Sequence, residues 1–206
     1  MERSRIGKMI EPFVDEEDKL IILDLLDDFR KDVDNVGYEW CTAQSIDGFI
    51  ESPYTDRKYD EVLLTDKLLE EGLSNGLHTV IHNHIYGSVP FPSPEDFETF
   101  IDYNVKYGIV TNEFGIFVIK NNNYNINLTS DEESNIQNAA INIKKKMEKD
   151  FQIDNPQYMG ILEKDKDDKY YREVNDFVKQ NYGKYESLYR DCLFNHNVEV
   201  KFIRTK

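Results

Sequence analysis

The sequence has few cysteines and far fewer basic than acidic residues. Only Cys41 and Cys192 occur among 206 residues, so no disulfide framework is expected and reduced thiols in a cytoplasmic protein are predicted. Lys and Arg number 25 against 40 Asp and Glu, which gives a formal net charge of -15. Because phosphate backbones and anionic membrane surfaces attract Lys and Arg, this charge argues against nucleic-acid and membrane binding.

Long apolar runs are also missing. No stretch of about 18 apolar residues occurs, so no segment is predicted to span a bilayer. The chain starts Met-Glu-Arg-Ser-Arg and acids flank its apolar residues 20–26, so no secretory signal is expected. The hydrophobic content of 39% is nevertheless sufficient for a packed core, and the length fits one domain, or one domain with a substantial appendage.

Hydrophobic periodicity predicts a mixture of helices and strands, an α/β fold of α+β type. The segments with helical spacing are 15–33, 60–73, 94–105, 131–150 and 167–194. The predicted strands are 77–84, 109–111, 115–119 and 198–203, with a hairpin over 38–50, a weaker strand around 124–128 and a linker over 154–166. Since the composition changes at Thr129, we divide the chain into residues 1–128 and a mainly helical C-terminal region, 129–206.

Three of the four histidines lie within seven residues, and His82 and His84 are separated by one residue on a predicted strand. Alternate strand residues share a face, so both imidazoles point the same way, with Cα atoms roughly 6.6 Å apart. Asp96 lies in the first turn of the following helix, and the intervening loop can fold it over the strand end. Two imidazoles and one carboxylate leave a fourth tetrahedral position open, which is typical of a catalytic zinc site. Ser93, one turn before Asp96, could donate a hydrogen bond to an oxyanion.

The run His82-Asn83-His84, followed after eight residues by Ser93-Pro94-Glu95-Asp96, resembles the JAMM motif of JAB/MPN metalloproteases. That motif is His-x-His-Pro, a short loop and then Ser-x-x-Asp. The resemblance covers about residues 15–128. It implies a curved mixed sheet flanked by helices, similar in layout to cytidine deaminases, and zinc-dependent hydrolysis of a peptide or isopeptide bond. Members often cleave after the tail of ubiquitin or a ubiquitin-like protein, so a protein or peptide substrate is implied.

The resemblance also implies a role for each residue of the site. His82, His84 and Asp96 would hold Zn²⁺, and Ser93 would stabilise the oxyanion. The catalytic glutamate of the family lies upstream, after the first helix and at the start of a strand. Glu39 occupies that place in this sequence and would act as the general base.

The sequence departs from the family pattern at two points, which leave alternatives open. Ile85 replaces the usual proline, and the loop to Ser93 is one residue longer than the common spacing. A non-catalytic MPN-type scaffold with a degenerate or metal-free site is therefore an alternative. A second is a metal hydrolase of a mobile element or phage with a different protein substrate. The tripeptide His82-Asn83-His84 also matches the letters of the HNH nucleases. In those nucleases, however, the three residues are dispersed through a ββα fold and do not form a tripeptide.

Several residues near the motif have competing interpretations. Ser93 with Asp96 is also a helix-capping signature. Ser88 competes with Ser93 as the oxyanion donor, and Cys41 is expected to be a packing residue. His78 is expected on the strand face of His82, roughly 13 Å away and too far to reach the same ion. His196 is expected to be a C-terminal turn residue of the last helix. Four other glutamates are alternatives to Glu39 as the base: Glu51, Glu61, Glu70 and Glu71.

Overall fold

The computed structural model describes residues 5–33, 38–57, 62–85, 88–124 and 128–205. Its centre is a five-stranded mixed sheet covered by helices, so the predicted α+β class is confirmed. The strands are β1 (Cys41–Ser45), β2 (Leu77–Asn83), β3 (Tyr107–Thr111), β4 (Gly115–Asn121) and β5 (Val198–Arg204). They lie side by side in chain order. The β2–β3 pair is parallel and the other pairs are antiparallel.

Seven α-helices lie within the described ranges. They are α1 (Arg5–Ile10), α2 (Lys19–Asp32), α3 (Asp66–Asn75), α4 (Pro94–Asp102), α5 (Ser130–Asp154), α6 (Asp168–Gln180) and α7 (Tyr182–Leu193). Helix α4 forms the crossover that a parallel pair such as β2–β3 requires. In the part of the chain that the structure describes, no helix is both long and apolar enough to cross a membrane.

Each face of the sheet carries its own hydrophobic cluster. On one face, α2 buries Ile22, Leu26 and Phe29 against strand residues such as Ile81 and Ile109. On the opposite face, α3 to α7 share one cluster with strand residues from β1 to β5. The division of the chain at residue 128 stays a prediction. The structure shows that residues from both parts build the same sheet and the same cluster.

Several helix and strand predictions differ from the structure. The predicted helix 167–194 is broken at Asn181. The Asn181 side chain donates to the Phe177 carbonyl at 2.9 Å and so competes with the backbone N–H of Asn181 for the same acceptor. Helix α3 begins later than predicted, after its N-cap Thr65. The return side of the predicted hairpin makes only isolated bridges, at Ile50 and Tyr54. Of the predicted strand 124–128, Tyr124 lies in a turn and residues 125–127 are outside the described ranges.

His78 does not share the strand face of His82, so that expectation was wrong. The β1–β2 register shifts between Gln44, which pairs with Thr79, and Ser45, which pairs with Leu77. His78 is the extra residue of this bulge, and a bulge changes the face on which the preceding side chains lie. The His78 ring contacts Tyr107, which belongs to the cluster on the α2 face.

A buried ion-pair network joins the start of α2 to the sheet. Lys106 Nζ donates to Asp18 Oδ2 at 2.7 Å, and the Tyr107 hydroxyl lies 3.0 Å from the same oxygen. His78 Nε2 is 3.0 Å from the other carboxylate oxygen, Asp18 Oδ1. Burial alone would raise the pKa of Asp18, but the hydrogen bonds from Lys106 and His78 outweigh it and the pKa is lowered. The network therefore stabilises the ionised carboxyl.

Asp15 belongs to the same network. Lys120 Nζ donates to Asp15 Oδ1 at 2.6 Å, and this hydrogen bond is the main cause of the lowered pKa of Asp15. Because the folded pKa values of Asp15 and Asp18 lie below their ordinary value of 3.8, their contribution to stability is present above that value. It is lost as the pH falls through the lowered folded values.

The substitution Asp18→Asn should lower stability at pH 7 by on the order of 3 kcal/mol, because it leaves Lys106 buried without its closest charge partner. It should also flatten the fall in melting temperature that the unsubstituted protein shows below about pH 4. Thermal denaturation between pH 7 and acid measures both effects. Asp24→Asn, at an exposed position of α2, is the control and should change neither. A melting temperature that falls as steeply with acid in Asp18→Asn as in the unsubstituted protein would contradict the prediction.

Candidate metal centre

The histidine pair lies where β2 ends on the face covered by α3 to α7. His82 pairs with Cys41 of β1. On the other side of β2, the His84 N–H donates to the carbonyl of Thr111 in β3 at 2.9 Å. Beyond residues 86–87, which lie outside the described ranges, residues 88–92 lead to Ser93, the N-cap of α4. Pro94 suits the first helical position because its missing N–H would have no partner there. The N-terminus of α4 thereby lies beside the end of β2.

Three side chains that the sequence singled out come together at this point. His82 Nε2 lies 3.1 Å from Asp96 Oδ1, and His84 Nε2 lies 3.3 Å from Asp96 Oδ2. The two Nε2 atoms are 3.3 Å apart. In a tetrahedral site with bonds of about 2.05 Å, neighbouring ligand atoms are separated by about 3.3 Å. The two Nε2 atoms match this spacing, and each lies at a similar distance from a different oxygen of Asp96, so the three side chains can each offer one ligand atom to a single zinc ion.

The orientations of two of the three candidate ligands, His84 and Asp96, are fixed by further hydrogen bonds. His84 Nδ1 lies 2.8 Å from the Val89 carbonyl, so that nitrogen donates, and in the neutral imidazole Nε2 is the nitrogen that carries the lone pair. Asp96 Oδ2 accepts the Ser93 N–H at 2.6 Å, while the Asp96 N–H donates to Ser93 Oγ at 3.1 Å. This reciprocal pair is the capping box that the sequence indicated. The capping interpretation is therefore confirmed, and the same carboxylate also faces both imidazoles.

The three groups form a strongly coupled electrostatic cluster. Burial alone would lower the pKa of His84, but Asp96, with a smaller contribution from Glu39, raises it to about 9. Burial alone would raise the pKa of Asp96, but the two imidazoles outweigh it and hold that pKa well below its usual range. The side chains of His82, His84 and Asp96 are 13%, 14% and 20% exposed. The cluster is thus mostly enclosed while still reachable from solvent.

Glu39 lies just before β1 rather than inside the predicted strand. Since Cys41 pairs with His82 in an antiparallel ladder, continuing the register places Glu39 opposite His84, on the same face. The partly buried Glu39 carboxylate acts electrostatically on both His84 and Cys41, raising the pKa of each. The structure therefore brings Glu39 to the same face and neighbourhood as the three candidate ligands.

The competing residues are placed differently. Cys41 is buried in the core cluster and its pKa is raised to about 12, mainly by burial, which fits a packing role. The Ser88 hydroxyl donates to the Ile85 carbonyl at 2.6 Å within the loop. Glu51 Oε2 accepts a hydrogen bond from the Thr65 hydroxyl at 3.3 Å.

The remaining alternatives lie on helices or outside the described ranges. Glu70 and Glu71 belong to α3, and Glu61 falls in the segment that the structure does not describe. His196 lies in a short 3₁₀ turn directly after α7, as the sequence predicted. In the described part of the chain, neither Glu70 nor Glu71 joins the group of ligand atoms from His82, His84 and Asp96.

An aromatic support from the C-terminal region was missed by sequence reasoning. Tyr189 of α7 is fully buried and donates its hydroxyl hydrogen to the Pro92 carbonyl at 2.9 Å. Phe91 stacks on the Tyr189 ring at 5.7 Å between centroids and on Phe202 of β5 at 5.5 Å. These contacts hold the residues immediately before Ser93. No local pattern links positions 92 and 189, so only the folded chain shows the contact.

Comparisons of this chain with protein-family models, with curated proteins and with solved structures find no match.

Proposed function

We propose that this protein is a zinc-dependent hydrolase of peptide or isopeptide bonds. The observation that carries the proposal is the cluster of ligand atoms from His82, His84 and Asp96. The two Nε2 atoms lie 3.3 Å apart, and each lies 3.1 to 3.3 Å from one oxygen of the Asp96 carboxylate. The resemblance of the sequence motif to JAMM metalloproteases supports the same reaction. The position of Glu39 opposite His84 supports a hydrolytic role over a purely structural metal site.

The donor set fits zinc, which favours imidazole nitrogen and carboxylate oxygen in sites that keep one position open. When bound, zinc supplies Lewis-acid polarisation of a scissile carbonyl and of a water molecule. His82 and His84 would hold it through Nε2 and Asp96 through a carboxylate oxygen. The Val89 carbonyl keeps His84 in the tautomer that this requires.

The remaining chemistry belongs to Glu39 and Ser93. Glu39 would accept a proton from the attacking water and pass it to the leaving amine, so that water and an amide become a carboxylic acid and an amine. Ser93 Oγ uses a lone pair to accept the Asp96 N–H, which leaves its hydroxyl hydrogen to donate to the developing oxyanion. Both groups stand on short segments that the sheet and α4 hold in place.

The substrate that we propose is an extended protein tail, such as that of a ubiquitin-like protein, because the motif resembles proteases that act on such tails. A peptide can add to a sheet edge as an extra strand. The outer edge of β1 next to the cluster shows that such pairing occurs there. The N–H and the carbonyl of Tyr54 bond to the backbone of Cys41 at 3.0 and 2.9 Å. The net charge of -15 favours a neutral or basic substrate over an acidic one.

Metal uptake tests the proposal directly. The protein should bind one zinc per chain after dialysis against excess metal, as measured by elemental analysis and by titration with a chelating dye. His84→Ala should abolish stoichiometric uptake, because it removes one of the three candidate ligands. His196→Ala, which changes a histidine in the turn after α7, is the control and should retain full uptake.

The opposite result would remove the enzyme interpretation. Wild-type protein that holds well under one zinc per chain, with a melting temperature unaffected by added zinc, would favour the non-catalytic scaffold. In that case the three side chains would act as a structural ion-pair cluster.

A further inference from the structure

Asn83, the residue between the two histidines, is fully buried and hydrogen-bonded through its whole carboxamide. Its Oδ1 accepts the backbone N–H of Trp40 at 2.7 Å. Its Nδ2 donates to the backbone carbonyl of Tyr38 at 3.3 Å and to that of His84 at 3.5 Å. The backbone N–H of Asn83 also donates to the Trp40 carbonyl at 3.1 Å. A buried amide with both ends satisfied in this way fixes the geometry of the segment that it contacts.

Two of the backbone groups that the carboxamide binds lie on either side of Glu39. The Tyr38 carbonyl precedes the Glu39 nitrogen, and the Trp40 N–H follows the Glu39 carbonyl carbon. Regular β1 begins only at Cys41, so residues 38–40 lie outside the strand. The Asn83 side chain therefore supplies hydrogen bonds here that a neighbouring strand would otherwise provide.

The alternation of the strand separates the roles of neighbouring residues. His82 and His84 present their rings to the face covered by α4, whereas Asn83, between them, projects its side chain the other way. From there it reaches the backbone of residues 38–40 without entering the space among the ligands. One tripeptide thus carries both the metal-binding nitrogens and the amide that holds the segment of Glu39.

We propose that Asn83 is a positioning residue that holds the Glu39 carboxylate towards His84. This inference rests on the proposed function, because it takes Glu39 as the general base. The position requires one acceptor and one donor at the spacing of a carboxamide. Aspartate offers only the acceptor, and leucine has a similar shape but offers neither.

Trp40 makes the inference measurable without a substrate, because it is the only tryptophan in the chain and its N–H is the one that Asn83 binds. In Asn83→Leu, the tryptophan emission should move to longer wavelength and acrylamide should quench it more strongly. Asn83→Asp keeps the acceptor for Trp40 and should show a smaller change. Asn121→Leu removes an equally buried asparagine, in β4, and should leave the emission unchanged.

A second readout reports on Glu39 itself. In protein labelled with ¹⁵N-histidine, at fixed pH and with or without added zinc, the His84 signal of Asn83→Leu should shift in the direction seen in Glu39→Gln. The reason is that both changes remove the carboxylate from its position near the imidazole. Zinc uptake by Asn83→Leu should equal that of the wild type, because no ligand is altered. A loss of stability alone would not shift the His84 signal in the direction seen in Glu39→Gln.

Three results would overturn the inference. One is a Trp40 emission and His84 signal in Asn83→Leu that match the wild type. Another is the same change in Asn121→Leu, which would indicate general loosening. The third is loss of zinc binding in Asn83→Leu alone, which would mean that Asn83 supports the ligands rather than Glu39. Failure of the wild type to bind zinc would instead overturn the proposed function, and the Trp40 and His84 readouts would still decide the role of Asn83.

Discussion

Glu39→Gln is expected to reduce hydrolysis by about 10²- to 10⁴-fold while leaving zinc content at the wild-type level. The amide has nearly the shape of the carboxylate but cannot accept the proton of the attacking water. None of the three candidate ligands is changed, and Glu39 lies outside the strands and helices that form the core. Turnover of a ubiquitin-tail peptide amide by zinc-loaded protein, with metal analysis of the same sample, measures both quantities.

Glu51→Gln is the matched control for this substitution. Glu51 also precedes the histidine pair in the sequence, but its carboxylate accepts a hydrogen bond from Thr65. It should retain turnover within about twofold, since it touches no reacting group. Full activity in Glu39→Gln, or activity lost in Glu51→Gln instead, would show that Glu39 is not the base. Loss of zinc from Glu39→Gln would make Glu39 a ligand.

Asp96→Ala is expected to abolish stoichiometric zinc binding and to lower the stability of the metal-free protein. The carboxylate faces both imidazoles, and it also accepts the Ser93 N–H at the start of α4. Loss of the capping interaction costs on the order of 1 kcal/mol, and the unpaired buried imidazoles add to that cost. Thermal denaturation in a chelator, compared with the same measurement in zinc, separates the two contributions.

The chain offers a second capping box with which to check the interpretation. At the start of α5, the Thr129 N–H donates to Glu132 Oε2 at 2.9 Å, while Thr129 Oγ1 accepts the Glu132 N–H at 3.3 Å. Glu132→Ala removes a capping acid that is not placed beside His82 and His84, so it should weaken α5 without changing zinc uptake. If Asp96→Ala behaves in the same way, Asp96 is a cap and not a ligand.

Sequence reasoning was most successful where short-range rules apply. The strand at His82 and the helix at Ser93 follow from periodicity and from capping chemistry, and both were found. The spacing His-x-His on a strand was sufficient to place both imidazoles on one face. Two predictions that assumed regular elements failed, because the bulge at His78 and the break at Asn181 each depend on a local interruption.

Long-range contacts could not be predicted from the sequence in the same way. Asn83 reads as an ordinary polar residue of a strand, and only its contacts with Tyr38 and Trp40 show what it does. The composition change at Thr129 is real, yet β5 pairs with β4 inside the same sheet. Which strand pairs with which is decided by the burial of both sheet faces, and a single sequence does not reveal that arrangement.

The hydrogen bond from Tyr189 to the Pro92 carbonyl has a consequence for the order of events during synthesis. The two residues are 97 positions apart, so the ribosome makes His82, His84 and Asp96 long before α7 exists. In the growing chain the loop before Ser93 lacks Tyr189 and Phe202, the rings on which Phe91 stacks. The segment that leads into α4 therefore gains these contacts only after the last helix and strand have been added, so the support for the position of Asp96 beside the two histidines is completed late in synthesis.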